Sequence, residues 1–242
     1  MGLYQSVYLL GISVWFAVWL LIYLLRPDLR REMLVMSFGV SWLGVTQFLY
    51  VSQYWTPQYL FPIPHTSIGL EDFLITFMYG GLAGVGYEFA MEKRLLCSPH
   101  EPLMRRLRTV VVLALPGVAC FFVLQLTTTL NIIYTSTLGL LIIGTAYAWK
   151  RPRLAPTILF NGLCLGTFAF LVLVGLAFLY PGVIAFVWNL DALSGILLWG
   201  VPIEEFFFHF AVGCAFALMY EIQCNCRVVR QSARGRFRFS LF

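Results

Sequence analysis

Residues 4–25 read YQSVYLLGISVWFAVWLLIYLL, and the six residues that follow are RPDLRR. The first stretch carries no charge and is as long as the roughly 20 apolar residues that a helix needs to cross a bilayer. It has no basic stretch in front of it and is too long for the apolar core of a signal peptide. We therefore expect it to be retained as a membrane anchor.

The composition extends this interpretation to the whole chain. Of 242 residues, 60% are hydrophobic and only 11% are charged, whereas soluble domains carry about 25% charged residues. Disorder requires low hydrophobicity, so it is excluded too. The net charge of +5 points to a membrane surface, and not to nucleic acid, as the partner of the basic residues.

Seven stretches are long and apolar enough to span a bilayer as helices. Strands of a membrane barrel are about 10 residues long and alternate in polarity, which these stretches do not. The sequence therefore predicts an all-α polytopic membrane protein with seven transmembrane helices. The predicted spans are 4–25, 33–51, 68–91, 109–126, 131–149, 156–180 and 195–222.

The basic residues indicate how the spans are oriented. All 16 Lys and Arg residues follow spans one, three, five and seven, and none follows spans two, four or six. Cytoplasmic segments carry the excess of Lys and Arg. We therefore expect a multi-pass protein of the cell membrane, with its N-terminus extracytoplasmic and its C-terminus cytoplasmic.

A shift of 133 residues aligns the two halves of the chain. Residues 55–88 and 188–221 then share 9 identities in 34 positions, about 26%, including Glu71 with Glu204. An Arg-Pro pair recurs upstream at an offset of 125. Because four helices separate equivalent positions, the two repeats face the same way.

This repeat divides the chain into four parts. They are a first three-helix repeat (1–95), a connector with helix four (96–130), a second three-helix repeat (131–226) and a basic cytoplasmic tail (227–242). We expect the tail to lie on anionic lipid.

Two pairs of adjacent carboxyl groups lie near the outer ends of spans three and seven: Glu71-Asp72 and Glu204-Glu205. Acidic residues inside membrane segments are costly and are usually functional. No Lys or Arg is near them in sequence, so the apolar setting favours the protonated form, which can donate a proton. All four are candidate catalytic residues.

Glu205 and His209 are four residues apart and share a helix face. They can therefore relay a proton, although a simple hydrogen bond from His209 to a neighbour is the alternative. The nearby aromatic rings suit a carbocation, or else form an interfacial belt. The candidate substrate-binding residues are Phe206, Phe210, His209, Trp188, Phe73 and Phe77.

The sequence indicates neither a metal site nor a cofactor. Cys224-Asn225-Cys226 has no partner cluster. A retinal protein needs a Lys within a span, whereas Lys93 and Lys150 lie at span ends. A Mg²⁺-dependent prenyltransferase needs clustered Asp residues, and the three Asp residues here are scattered.

The segment Pro202-Ile203-Glu204-Glu205 resembles the Pro-x-Glu-Glu/Asp motif of the small membrane lycopene cyclases. That family occurs as two short subunits or as one fused chain with two homologous halves, and the repeat resembles the fused form. In the first half, Gly69-Leu70-Glu71-Asp72 keeps both carboxyl groups but has Gly in place of Pro. The resemblance implies non-redox cyclisation of the acyclic ends of lycopene to β-ionone rings, without a Rossmann domain.

In the implied reaction, a protonated carboxyl group adds a proton to the terminal double bond, and the resulting cation closes a six-membered ring. Glu204 is the first choice for this acid and Glu205 the second. The implied partners are lycopene and the lipid bilayer, with a second copy of the chain or other carotenoid enzymes as further options. A transporter or non-catalytic membrane protein, and a cyclase of another polyene or prenyl lipid, are the alternatives, because parallel repeats with intramembrane acids also suit transport.

Overall fold

The computed structural model describes residues 4, 6–97, 102–224 and 226–230. Seven helical segments within this part of the chain are long and apolar enough to cross a membrane. The prediction of an all-α multi-pass membrane protein is therefore confirmed. The main helices are α1 (Val7–Leu25), α2 (Arg30–Ser41), α3 (Leu70–Ala90), α4 (Leu103–Thr127), α5 (Ile132–Lys150), α6 (Ala155–Leu179), α7 (Val183–Val187), α8 (Ile203–Phe216) and α9 (Met219–Cys224).

Span two is not a regular α-helix throughout. After α2 ends at Ser41, the chain continues as a 3₁₀ helix over Trp42–Leu49. Gly44 in this segment lies against α3, where an added Cβ would come within 2.8 Å of the Phe73 backbone. The tighter helix therefore brings the C-terminal end of span two into close contact with the start of α3.

The predicted start of span seven at residue 195 is wrong. Short strands β2 (Leu197–Leu198) and β3 (Val201–Pro202) pair antiparallel before α8 begins. The two residues between them, Trp199 and Gly200, have φ of 49° and 81°, the left-handed conformation that a tight two-residue hairpin requires. Span seven is therefore shorter than predicted and is formed by α8 and α9.

Glycines bring two pairs of helices into close contact. A Cβ on Gly213 of α8 would lie 2.6 Å from the Asn161 carbonyl oxygen of α6, and a Cβ on Gly80 of α3 would overlap the Met36 carbonyl oxygen of α2. Gly80 and Gly213 are 133 residues apart, and Met36 and Asn161 are 125 apart. These contacts have the offsets of the sequence repeat, which remains a prediction.

The apolar residues divide between an internal core and the outer surface. The largest core cluster joins α1, α3 and α6, with Trp15, Met78 and Ala169 among its buried members. Large apolar side chains such as Trp149 and Phe178 are more than 80% exposed. An apolar outer surface of this kind is what a bilayer covers.

A second two-stranded sheet joins the ends of spans three and seven. β1 (Lys93–Cys97) pairs antiparallel with β4 (Cys226–Arg230). The beginning of the predicted tail is thus a strand held against the end of the first repeat. The rest of the tail, 231–242, lies outside the described residues.

Candidate active site

The four predicted acids lie in the first turns of two helices. Glu71 and Asp72 are at the start of α3, and Glu204 and Glu205 are at the start of α8. The first helical turn favours negative charge, because its backbone N–H groups point outward unpaired. The exposed fraction is 0% for both members of the first pair and 5% for both members of the second.

A cavity of about 440 Å³ lies inside the bundle beside the second pair. All seven spans contribute to its wall, which is largely apolar. Among the described residues that line it, Glu205 is the only carboxylate, and none is Lys or Arg. Its aromatic residues include Tyr8, Trp15, Tyr54, Trp55, Tyr79, Trp188 and Phe208. Such a wall excludes water and offers π faces to a positive charge.

Glu205 is held by donors from two distant loops. Its Oε1 accepts hydrogen bonds from the Tyr54 hydroxyl at 2.5 Å and from the Trp188 indole Nε1 at 2.6 Å. These two bonds use both lone pairs of Oε1. Oε2 is therefore the oxygen that is left to carry a proton.

The Tyr54 phenol remains a donor over a wide pH range. Burial raises its pKa well above the usual value, and the nearby Glu205 carboxylate raises it further. A neutral phenol keeps its proton and donates it in the hydrogen bond. Tyr54 thus fixes the orientation of Glu205 in the cavity wall.

His209 lies one helical turn beyond Glu205 and also lines the cavity. Its Nδ1 is 2.7 Å from the Glu205 backbone carbonyl oxygen and 3.4 Å from Glu205 Oε2. Its Nε2 is 2.7 Å from the hydroxyl of Tyr79. The expected contact between Glu205 and His209 is therefore present, and Tyr79 extends it.

Glu204 is outside the residues that line the cavity. Its Oε1 accepts hydrogen bonds from the Tyr134 hydroxyl at 2.6 Å and from the Ser194 backbone N–H at 2.8 Å. The adjacent acids point in different directions, because successive residues on a helix are about 100° apart. Glu204 thus connects α8 to α5 and to the loop before β2.

The first acidic pair is also outside the cavity lining. Glu71 Oε1 accepts the backbone N–H groups of Leu60 at 2.7 Å and Phe61 at 2.9 Å. Asp72 accepts the Tyr8 hydroxyl at 2.8 Å and the Gly69 N–H at 2.9 Å. Both carboxyl groups therefore tie the start of α3 to neighbouring segments.

Of the six candidate substrate-binding residues, Trp188 and His209 line the cavity, and the four phenylalanines do not. Phe206 and Phe210 stack on each other and lie against glycines of α6. Phe77 packs against Trp19 and Phe38, and the backbone of Phe73 contacts Gly44.

The residues of α8 that line the cavity share one helix face, and their spacing can be recognised in the sequence. They are Glu205, Phe208, His209, Val212 and Phe216, which recur at intervals of three and four residues along one helix face. This spacing would have selected Phe208 in place of Phe206. No pattern in the sequence identifies Tyr54 or Tyr79, because their partners are more than 100 residues away.

No three His, Cys, Asp or Glu side chains are grouped to hold a metal ion within the described part of the chain. The six cysteines include four whose side chains are described and free, at positions 120, 164, 214 and 224. Asn225 is outside the described residues, and so is the side chain of Cys226.

Comparison with known proteins finds a similarity in the second half of the chain. Residues 131–223 match the family model described as lycopene cyclase. The matched region runs from α5 to α9 and contains Glu204, Glu205 and His209. No curated protein and no solved structure gives a match. This part of the chain is therefore similar to the lycopene cyclases.

Proposed function

We propose that the chain is a lycopene β-cyclase that closes the acyclic ends of lycopene by acid catalysis, with Glu205 as the acid. The observation that carries the proposal is the position of this one carboxyl group in an apolar, aromatic cavity. The same residue lies in the segment that matches the lycopene cyclase family. Among the described lining residues, no other side chain is a comparably strong acid for the protonation of an alkene.

The proposed reaction requires no change in oxidation state. Glu205 Oε2–H gives its proton to the terminal double bond, which forms a C–H bond and leaves a tertiary cation. The electron pair of the next suitably placed double bond attacks this cation and closes a six-membered ring. The new cation then loses a proton from an adjacent carbon, and the C–H electrons form the ring double bond.

Two features of the cavity favour this chemistry. The π faces of Trp15, Trp188 and Phe208 stabilise the cation after it forms. The apolar wall keeps out water, which would otherwise trap the cation as an alcohol. None of the described lining residues is Lys or Arg, so they do not repel the cation electrostatically.

Glu205 replaces Glu204 as the preferred acid because only Glu205 borders the cavity. We assign Glu204 to positioning instead. Its bonds to Tyr134 and Ser194 hold the hairpin in front of α8. Both acids accept one O–H and one N–H, so the position beside the cavity, and not the number of donors, distinguishes Glu205 from Glu204.

The first acidic pair is proposed to be structural. Asp72 is hydrogen-bonded to Tyr8, and it is Tyr8 that borders the cavity. The chain would then have one active centre, and the two ends of lycopene would react in turn. The substrate dissolves in the bilayer, so it can enter sideways between the helices.

The test is expression of the chain in a bacterium that makes lycopene, followed by chromatography of the pigments. We expect lycopene to be replaced by carotenoids with β-ionone rings, and Glu205→Gln to leave lycopene unchanged. Unchanged lycopene with well-inserted wild-type protein would overturn the proposal and favour transport or another substrate.

A further inference from the structure

We infer that Tyr79 accepts the proton that leaves the newly closed ring, and that His209 returns this proton to Glu205. The inference rests on the proposed function and adds the second half of its proton cycle. Tyr79 lies on α3 and His209 on α8, and both side chains line the cavity that contains Glu205. The catalytic base is thus contributed by the first half of the chain and the acid by the second.

The hydrogen bonds of neutral His209 define which of its two nitrogens carries the hydrogen. Its Nδ1 is 2.7 Å from the Glu205 carbonyl oxygen, which can only accept, so Nδ1 carries a hydrogen. In the neutral imidazole Nε2 is then an acceptor, and the Tyr79 hydroxyl at 2.7 Å donates to it. The phenol oxygen of Tyr79 keeps its lone pairs for a proton that arrives from the cavity.

The surroundings of His209 suit a transient positive charge. The indole of Trp15 stacks on its ring, with centroids 6.1 Å apart and planes 29° apart. Glu205 Oε2 is 3.4 Å from Nδ1, and it is negatively charged once it has given up its proton. Both neighbours stabilise an imidazolium. No Lys or Arg among the described residues lines this part of the cavity.

The proposed transfer returns every group to its starting charge. The ring C–H bond breaks, its electrons form the double bond, and the proton binds to the Tyr79 oxygen. The original Tyr79 hydroxyl proton moves to His209 Nε2, which gives an imidazolium. The Nδ1 proton then moves to Glu205 Oε2 and restores the carboxylic acid, which leaves the hydrogen of neutral His209 on Nε2. Binding of one proton at Nδ1 and release of one from Nε2 between turnovers, with no net gain or loss of protons, restores the starting tautomer. No oxidant, reductant or additional acid is consumed.

The position of the base determines which ring isomer is formed. After ring closure, more than one carbon next to the cation carries a hydrogen, and each loss gives a different double bond. A single fixed acceptor removes one of these hydrogens and gives one isomer. If Tyr79 is that acceptor, its removal changes the ratio of isomers as well as the rate.

The experiment compares wild type with Tyr79→Phe in lipid nanodiscs, with lycopene as substrate. We expect kcat to fall by about 10²-fold, the lower end for general base catalysis, with KM little changed. We also expect the product to become a mixture of ring isomers. Tyr147→Phe is the matched control, because it removes a buried hydroxyl away from the cavity, and it should retain both the rate and the single isomer.

A second variant separates a proton relay from a packing effect. His209→Gln keeps hydrogen-bonding groups but cannot carry a proton at physiological pH. We expect it to slow turnover as much as Tyr79→Phe, and the double variant to be no slower than either, because the residues act as one unit. A single isomer at wild-type rate from Tyr79→Phe would overturn the inference. An inactive wild type would instead overturn the proposed function.

Discussion

At the scale of single residues, hydrogen-bond partners distinguish four acids that look equivalent in the sequence. Glu205 is bound by two side chains and faces the cavity, whereas Glu71 is bound by two backbone N–H groups and does not. The sequence predicts that the acids lie at the outer ends of spans three and seven, and the structure places them at the starts of α3 and α8. The sequence cannot predict the role of Tyr54, because this donor is 151 residues away from Glu205 along the chain.

The buried tyrosines predict a loss of stability at alkaline pH. Burial raises the pKa of Tyr50 to about 12 and that of Tyr54 well above its usual value of about 10. Above pH 10 the unfolded chain releases these protons and the folded chain keeps them, so stability falls as pH rises. We expect the melting temperature of wild type in nanodiscs to fall between pH 9 and 11. In Tyr54→Phe it should fall less steeply, because the contribution of this one tyrosine is missing. Parallel slopes would contradict this assignment.

At the scale of helices, the period and length of apolar residues predict all seven spans but not where two of them change form. The hairpin before α8 depends on Trp199 and Gly200 in left-handed conformations, and the surrounding apolar residues gave no signal for it. Likewise, the 3₁₀ segment after α2 follows from the contact of Gly44 with α3. A tertiary contact thus accounts for the 3₁₀ segment, whereas the hairpin follows from the local backbone conformation of Trp199 and Gly200.

The contact between α6 and α8 predicts unequal effects of two Gly→Ala substitutions. Gly213→Ala places a Cβ 2.6 Å from the Asn161 carbonyl oxygen, and overpacking of this kind costs about 1–3 kcal/mol. Gly175→Ala is the matched control on α6, where nothing lies within 4 Å of the added Cβ and helix propensity improves. We expect a lower melting temperature in nanodiscs for Gly213→Ala and an unchanged or higher one for Gly175→Ala. Equal melting temperatures would argue against close contact of these helices.

At the scale of the whole molecule, the two halves have equivalent contacts but different chemistry. The equivalent of His209 is Thr76, which hydrogen-bonds to backbone carbonyls of α3 and to that of Ser41. The repeat in the sequence predicts corresponding acids, and their partners determine that only one of them borders the cavity. In this account the first half supplies Tyr79 and Tyr54, and the second supplies Glu205 and His209.

The distribution of basic residues predicts the orientation of the molecule. Ser67 lies in an exposed loop on the side without Lys or Arg, and Arg153 is exposed in the short 3₁₀ helix Pro152–Leu154 on the basic side. A membrane-impermeant maleimide should label Ser67→Cys in intact cells and Arg153→Cys only after lysis, because the excess of Lys and Arg predicts that the basic side is cytoplasmic. Wild-type protein controls for the native cysteines. Labelling in the reverse order would require the opposite orientation.

The most direct test of the account is the single-turnover rate of lycopene consumption by Glu205→Gln and Glu204→Gln in nanodiscs, each checked for its melting temperature. The two substitutions make the same chemical change at adjacent positions, and only Glu205 borders the cavity. We expect Glu205→Gln to lower the rate by about 10³-fold or more, within the range for loss of a general acid, and Glu204→Gln to stay within about tenfold of wild type. The assignment of Glu205 as the acid would be contradicted if folded Glu205→Gln cyclised lycopene at the wild-type rate and Glu204→Gln were inactive.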